Sequence, residues 1–493
     1  MSAESGMIAA EDASAVGVGR GLAPEAAGTA SWRLALGLSV LLAWQLMVVL
    51  DGTIVNIALA HIRESLGFSA AGLSWVVNGY ALAFGGLLLL GSRAGDIFGR
   101  RRALVVGVIV FTIASALGGF AGSPEMLILA RVLQGVGAAI AAPSTLSLIV
   151  TNFEAGAPRD RALSLFSSVS GVGASIGLIV GGMLTSWLSW HWVFFVNVPI
   201  GIAVALLAPR AVKEAPRMPG RLDLGGAITS TIGVTALVYG FIRAAEEGWS
   251  DSLTIGSFAA AIILLVSFAL IERRVSQPIM PFRLFDERNR ALAFLAMLVV
   301  PSALFGVFFF LTQYLQTVLG MSAVESGFAF LPFSTTIVIG ARVVPGAVRR
   351  FGARYVVMYG AAAIAAGLAL FSQLDQDTAY VPLVMVAMLI GASGAVANFV
   401  ALNLTIMGRI APQDSGAASG LMQTAQQIGG AIGLAILVTV FSTVSRNSAL
   451  AGHDPLTAMV DGMQRGFLTA AVLALGVLAI AIFGLRSPQR NAE

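Results

Sequence analysis

Two oppositely charged residues lie where charge is costly. Asp51 falls inside the apolar run 34–58, and Arg131 falls inside the run 126–150. A carboxyl removed from water disfavours its ionised form, which keeps a proton on it exchangeable near neutral pH. Charged groups buried in apolar spans are expensive and are functional candidates by default. Arg131 stands about six residues from one end of its run, roughly 9 Å at about 1.5 Å per residue. Asp51 stands about seven to eight residues from the matching end of its own run, so their depths agree. A direct Asp51–Arg131 pair would favour the carboxylate, and a proton or a cationic ligand would then compete for it. The simpler readings are a helix-end or hydrogen-bonding role for Asp51 and a snorkelling or structural role for Arg131.

A second group lies between two apolar runs, where the chain reads Ser92-Arg93-Ala94-Gly95-Asp96-Ile97-Phe98-Gly99-Arg100-Arg101-Arg102. Gly99 permits a tight turn. Asp96 can accept charge-assisted hydrogen bonds from the arginines or from a helix N-terminus. The simpler reading is a positive anchor at a membrane surface.

Other chemistry has little to stand on. There is no cysteine, and His61, His191 and His453 are scattered, so no thiolate, Fe–S or zinc centre is expected. The one lysine, Lys213, sits in Ala-Val-Lys-Glu rather than in a phosphate loop. No nucleophile–base set appears in the loops, which makes an enzyme the weakest reading. No cofactor or metal is expected. The sequence pI near 9.8 comes from basic residues spread over short loops, without the solvated patch that a nucleic acid needs.

The elements that must hold these residues follow from composition. Of 493 residues, 57% are hydrophobic and 11% charged, with a mean hydropathy of +0.88. Soluble domains carry roughly 45–50% apolar and about 25% charged residues, so the chain is read as a polytopic membrane protein with the lipid bilayer as its surroundings. Apolar runs long enough to span occur at 34–58, 72–92, 103–121, 126–150, 163–186, 191–209, 222–243, 253–272, 291–318, 325–346, 354–372, 380–408, 416–443 and 466–485. Residues 1–32 have no apolar run and no basic start, and are expected to form a disordered cytoplasmic tail rather than a signal peptide; 487–493 form the other tail. With the N-terminus inside, 24 of the 29 basic residues fall on the inner side and four on the outer: Arg63, Arg243, Arg446 and Arg465. That bias supports fourteen spans with both termini cytoplasmic.

The sequence also repeats itself. Leu66-Gly67 with Ser69-Ala70 recurs as Leu319-Gly320 with Ser322-Ala323, and Phe98-Gly99, Arg101 and Gly107 recur as Phe351-Gly352, Arg354 and Gly360, both at offset 253. Leu133, Gly135 and Ala139 recur as Leu389, Gly391 and Ala395, and Gly173 with Ile176-Gly177-Leu178 as Gly429 with Ile432-Gly433-Leu434, both at offset 256. Span 9 thus matches span 1. The expected organisation is an all-α protein with two six-helix halves, 33–210 and 289–486, and two inserted spans in 211–288. Parallel repeats of this kind carry a midplane substrate site between halves and work by alternating access.

Four motifs now resemble the major facilitator superfamily, in particular its 14-span drug:proton antiporter branch. The loop 92–102 is similar to the family's Gly-x-Leu-x-Asp-x-x-Gly-Arg-Arg/Lys, with Ser92 and Ala94 as departures. The resemblance implies that Asp96, Gly99, Arg100, Arg101 and Arg102 latch the cytoplasmic side in the outward-facing state. The second copy carries Arg349 where Asp96 stands, so a one-sided latch is expected. Leu50-Asp51-Gly52-Thr53-Ile54-Val55-Asn56-Ile57-Ala58-Leu59 resembles the branch's Leu-Asp-x-Thr-x-x-Asn-x-Ala-Leu, which implies proton coupling at Asp51. Leu127 through Ala139, with Arg131, Gln134 and Gly135, resembles the buried-arginine motif. Gly173, Gly177, Gly181 and Gly182 resemble an antiporter glycine motif whose proline is replaced by Leu178. The segments 190–201 and 309–316 also resemble the branch, with His191 where arginine is usual.

The residues expected to line a cavity are Gln45, Asn78, Tyr80, Gln134, Gln313, Tyr314, Asn398 and Gln427, together with Trp44, Gln316, Asn403, Gln423 and Gln426. Many amides and aromatics with few fixed charges suit an amphipathic small molecule, although amides also join helices. The expected function is proton-coupled efflux of drug-like or antibiotic compounds by a monomer in the cytoplasmic membrane. The alternatives are a proton-coupled importer or metabolite exporter of the same fold, or a membrane sensor that does not transport.

Overall fold

The computed structural model describes residues 24–486 except 70, 155, 218–221, 276–277, 409 and 411–414. The described residues are helical throughout, with no strand among them. Thirteen helices are long and apolar enough to cross a membrane. The expected fifth span is the continuous helix α5, Ala157–Trp187, whose apolar stretch Ile176–Trp187 is shorter. The expected tail 1–32 is helical from Pro24, and residues 1–23 lie outside the described residues. An alanine-rich stretch with proline at the first helical position readily extends a helix. The tail 487–493 also lies outside the described residues.

In the first half, α1 (Pro24–Leu66) packs on α5 and on α7 (Asn197–Ala211), which follows the short α6 (Trp192–Phe195). The helices α2 (Ser74–Phe98) and α3 (Arg100–Gly119) both pack on α4 (Pro124–Asn152). A hairpin of α8 (Leu224–Glu247) and α9 (Ser252–Glu272) comes next. In the second half, α10 (Arg288–Gly306) runs on through π-helical turns to Val318, and α11 (Ala323–Ala329) leads into α12 (Leu331–Phe351). The remaining helices are α13 (Ala353–Phe371), α14 (Met385–Met407), α15 (Ser415–Leu450) and α16 (Pro455–Ala479).

Small residues set the closest crossings. A Cβ on Gly107 would stand 2.5 Å from Gly137 O, joining α3 to α4, and one on Gly394 would stand 2.5 Å from Gly360 O, joining α14 to α13. These crossings occupy equivalent places in the repeat, since Gly107 and Gly360 are separated by the 253-residue offset. The halves meet along two seams, α2 with α15 and α5 with α11 and α12. Each seam joins the second span of one half to the fifth of the other, as the repeat requires. The inserted α8 packs on both α2 and α15, so the hairpin straddles one seam. Its partner α9 buries only Thr254, Ala261 and Glu272 and presents the rest of its apolar surface outward.

Candidate functional site

The site forms where five helices converge on one carboxylate. Asp51 of α1 is fully buried, and its Oδ2 lies 2.5 Å from Arg131 Nη1 of α4. Its Oδ1 accepts from Gln134 Nε2 at 2.8 Å and from Asn197 Nδ2 of α7 at 3.0 Å. Gln134 follows Arg131 by three residues, so both project from one helix face. The Gln134 carbonyl accepts from Arg131 Nη1 at 2.7 Å, and its Nε2 also donates to Ser115 Oγ of α3 at 2.8 Å. Arg131 Nε donates to Val76 O of α2 at 2.8 Å, and its guanidinium lies 4.5 Å from the centre of the Tyr80 ring.

Burying two charges costs several kcal/mol per ion, which good geometry and satisfied lone pairs can offset. Here Asp51 accepts three hydrogen bonds, and Arg131 adds a backbone acceptor and an aromatic face. The expected partnership of Asp51 with Arg131 is therefore direct. Asn197 and Ser115 complete the network. Asn197 lies in the segment 190–201 that resembles the antiporter branch, but its position in sequence carried no hint of its partner.

Beside this network a cavity of about 1450 Å³ lies between the halves, larger than the roughly 300–1,000 Å³ of drug-sized pockets. Its inner walls carry Gln45, Asn56, Tyr80, Phe84, Phe305 and Gln427, and Arg131 reaches it. Among the described residues Asp51 does not line it. Arg131 and Tyr80 thus stand between the carboxylate and the cavity.

The cavity runs to the arginine-rich end of the molecule, where Arg93, Asp96, Arg100, Asp223 and Arg283 line it. The opposite end is closed by contacts between the halves. Gln316 Nε2 donates to Ile57 O at 2.9 Å, and Val324 N donates to Ser186 Oγ at 3.3 Å. Glycines bring α5 up to its neighbours at this end. A Cβ on Gly177 would collide with Thr53 Oγ1, and one on Gly181 would stand 2.8 Å from Ile54 Cγ1, both on α1. Gly173 faces Leu46 and Val49 of the same helix. Gly182 faces the other half, where an added Cβ would stand 2.5 Å from Ala323 O.

The loop cluster bonds to the first half and to the start of the segment that follows it. Asp96 Oδ1 lies 2.6 Å from Arg100 Nη2, whose neighbouring nitrogen donates to Pro143 O of α4 at 3.4 Å. Gly99 has φ 112°, a conformation that favours glycine. The Arg101 backbone N–H donates to Glu214 Oε1 at 2.7 Å, and its guanidinium donates to Pro209 O and Val212 O, each at 3.2 Å. Glu214 is a member that the motif does not announce. Arg102 is exposed.

Eight residues expected on the cavity do not line it: Gln134 of the Asp51 network, Trp44, Gln316 and Asn403, and the four that follow. Asn78 is fully buried with neither side-chain polar atom bonded among the described residues. Gln313 donates to Phe309 O at 2.9 Å within its own helix. The Tyr314 hydroxyl donates to Asp375 O at 2.7 Å, which ties α10's extension to the loop after α13. Asn398 donates to Gly394 O at 3.3 Å beneath Gly360. Of these four, only the Tyr314 hydroxyl bonds to a separate element, while Gln313 and Asn398 return their hydrogen bonds to their own helices. Gln134 belongs to the Asp51 network, whereas Gln45, Tyr80 and Gln427 line the cavity.

The Major Facilitator Superfamily pattern matches residues 17–434. The chain belongs to the major facilitator superfamily. Its relatives in the superfamily include the puromycin resistance protein Pur8 of Streptomyces alboniger, 42% identical over 90% of this chain and 89% of that protein. The cephamycin export protein CmcT of Amycolatopsis lactamdurans is 41% identical over 83% of this chain and 85% of its own length. Among solved structures, the nucleoside transporter NupG superposes with a TM-score of 0.65 over 92% of this chain and 100% of that one, at 13% identity. That likeness concerns the major facilitator fold alone.

Proposed function

We propose that this protein exports drug-like, amphipathic small molecules across the cytoplasmic membrane in exchange for protons, by alternating access. The observation that carries the reading is the buried Asp51–Arg131 pair with its arginine facing a large amide- and aromatic-lined cavity. The names of the relatives above, a resistance protein and an export protein, support the outward direction. The arginine-rich end faces the cytoplasm under the positive-inside bias, with both termini on that side, so the cavity is open for loading.

The moving units are 33–210 and 289–486, rocking on the two seams, with 211–288 as an insertion and a single chain as the working unit. Asp51 is the coupling group. In the loading state its carboxylate holds Arg131. A proton arriving from the outer side neutralises Asp51 and frees the guanidinium to shift, which changes the cavity wall against the bound compound. Release of that proton inward restores the pair. The cluster at Asp96, Gly99, Arg100, Arg101 and Arg102 latches the cytoplasmic side when the cavity faces outward, and the glycines at 173, 177, 181 and 182 let the outer side close.

The test is proton flux in proteoliposomes containing the wild type or Asp51→Asn, with a panel of antibiotics and dyes. Substrate-dependent proton movement is expected in the wild type and none in the variant. Export without proton movement, or a variant that behaves as the wild type, would overturn the coupling role.

A further inference from the structure

Two acids face one another at the arginine-rich end of the inserted hairpin. Asp223 precedes α8 and is 9% exposed; its Oδ1 accepts from Gly226 N at 2.8 Å. Glu272 ends α9 and is 2% exposed; its Oε2 accepts from Met280 N at 2.9 Å. One oxygen on each acid, Asp223 Oδ2 and Glu272 Oε1, is left buried with no hydrogen-bond donor among the described residues. A Cβ added to Gly226 would stand 2.5 Å from the first and 2.7 Å from the second, and the two side chains are within hydrogen-bonding reach of each other. Two bare carboxylates so placed repel strongly where water is excluded. One proton between them converts that repulsion into a hydrogen bond, as in other carboxyl pairs that share a proton.

The surroundings tie this pair to the cavity. Glu272 anchors the segment 278–285 through Met280 N, and Pro278, Ile279, Pro281 and Arg283 of that segment line the cavity mouth together with Asp223. Two prolines and the 3₁₀ turn Phe282–Phe285 stiffen the segment, so it moves as a unit. The charged groups on the elements beside the pair are Arg283 on the segment, Asp286 and Glu287 just after it, Arg273 and Arg274 after α9, Arg288 and Arg290 at the start of α10, and Arg93, Asp96 and Arg100 lining the same cavity. Helix α15, which also packs on α8, brings no charged side chain to this end among its described residues. Positive groups favour ionised carboxylates and so oppose a second proton, whereas the repulsion between the two carboxylates favours the first.

We propose that Asp223 and Glu272 share one proton and form a proton-binding site of the inserted hairpin, separate from Asp51, whose ionisation loosens the segment 278–285 at the cavity mouth. Loss of the proton drives the start of α8 away from the end of α9 and takes Met280 with it. The site does not depend on what the cavity carries.

The natural chain has no cysteine, so Ile279→Cys provides a unique thiol in the full-length protein. Its maleimide labelling rate is measured without substrate in the native background and in Glu272→Gln, where an amide replaces the shared proton permanently. The ratio of the two rates cancels the ionisation of the thiol itself. It is expected near one at about pH 6 and to rise at least about threefold by about pH 9, the range reached by buried acids. Asp223→Asn in place of Glu272→Gln should give the same rise. Asp51→Asn, added to both backgrounds, should leave the rise intact. A flat ratio with both amide variants overturns the proposal, and so does a rise that disappears with Asp51→Asn.

Discussion

Gln134 and Asn197 donate to the same oxygen of Asp51, from α4 at 2.8 Å and from α7 at 3.0 Å. A single carboxylate oxygen therefore joins the fourth helix to the one that begins at Asn197. Removing one donor, as in Asn197→Ala, leaves that oxygen to Gln134 alone and loosens the tie between α4 and α7, at a cost of about 1.5–3 kcal/mol for a hydrogen bond to a charged group. The thermal midpoint in detergent should fall, and drug-dependent proton flux with it. A variant that melts and transports as the wild type would contradict the role of this shared oxygen.

The ion pair itself makes a sharper prediction about stability. Arg131→Ala strands a buried carboxylate, a loss of about 3–5 kcal/mol. Combining Arg131→Gln with Asp51→Asn removes both charges and should recover most of the thermal stability without restoring coupled transport. Thermal melts of the four combinations in detergent form a double-mutant cycle. Additive losses in that cycle would mean that the two side chains do not act as a pair.

At the closed end, Gly177→Ala places a methyl group against Thr53 Oγ1. Export should fall, and Thr53→Ala should restore it by removing the colliding oxygen. Gly182→Ala acts across the halves, because its methyl group meets Ala323 O at 2.5 Å. A Ser186→Cys/Val324→Cys pair in this cysteine-free chain should cross-link readily in the wild-type background and several-fold less with Gly182→Ala. Equal cross-linking would show that the seam tolerates the methyl group.

At the outer end of the inserted hairpin, Arg243 near the end of α8 pairs with Asp251, which precedes α9, and Asp251 has a defined pH window. The hydrogen bond from Arg243, aided by the Thr254 backbone N–H, pushes the Asp251 carboxyl down to about 2. A group lowered on folding contributes stability that is complete above its unfolded value and fades as pH falls towards its folded value. The thermal shift caused by Asp251→Asn should therefore be the same at about pH 6 and about pH 8 and shrink only below about pH 4. A shift that changes between pH 6 and pH 8 would point to another group.

Much of this arrangement was legible in the residues, and the physical reason is geometric. Depth along a helix is linear in residue number, so Asp51 and Arg131 could be placed level before any packing was known. The direction a side chain faces is set by neighbouring helices, which residue number does not reveal. Asn398 carries the same chemistry as Gln45 and Gln427, and Tyr314 is polar and aromatic like Tyr80, yet Asn398 bonds to the backbone of its own helix and Tyr314 to the loop after α13, while the glutamines face the cavity. Glu214 was hidden for a similar reason. It lies more than 100 positions from Arg101 in the chain, and only the fold brings its carboxylate to that N–H. The helix α1 reaches back to Pro24 without an apolar run there, because alanine supports a helix without burial.

The placement of Arg131 between Asp51 and the cavity also bears on how such proteins diversify. The cavity presents the guanidinium and the Tyr80 ring, with the acid behind them. Under the proposed mechanism, substitutions at Gln45, Phe84, Phe305 or Gln427, drawn from both halves, redraw the list of accepted molecules while the coupling acid stays untouched. What is carried and what drives it would then change through separate residues.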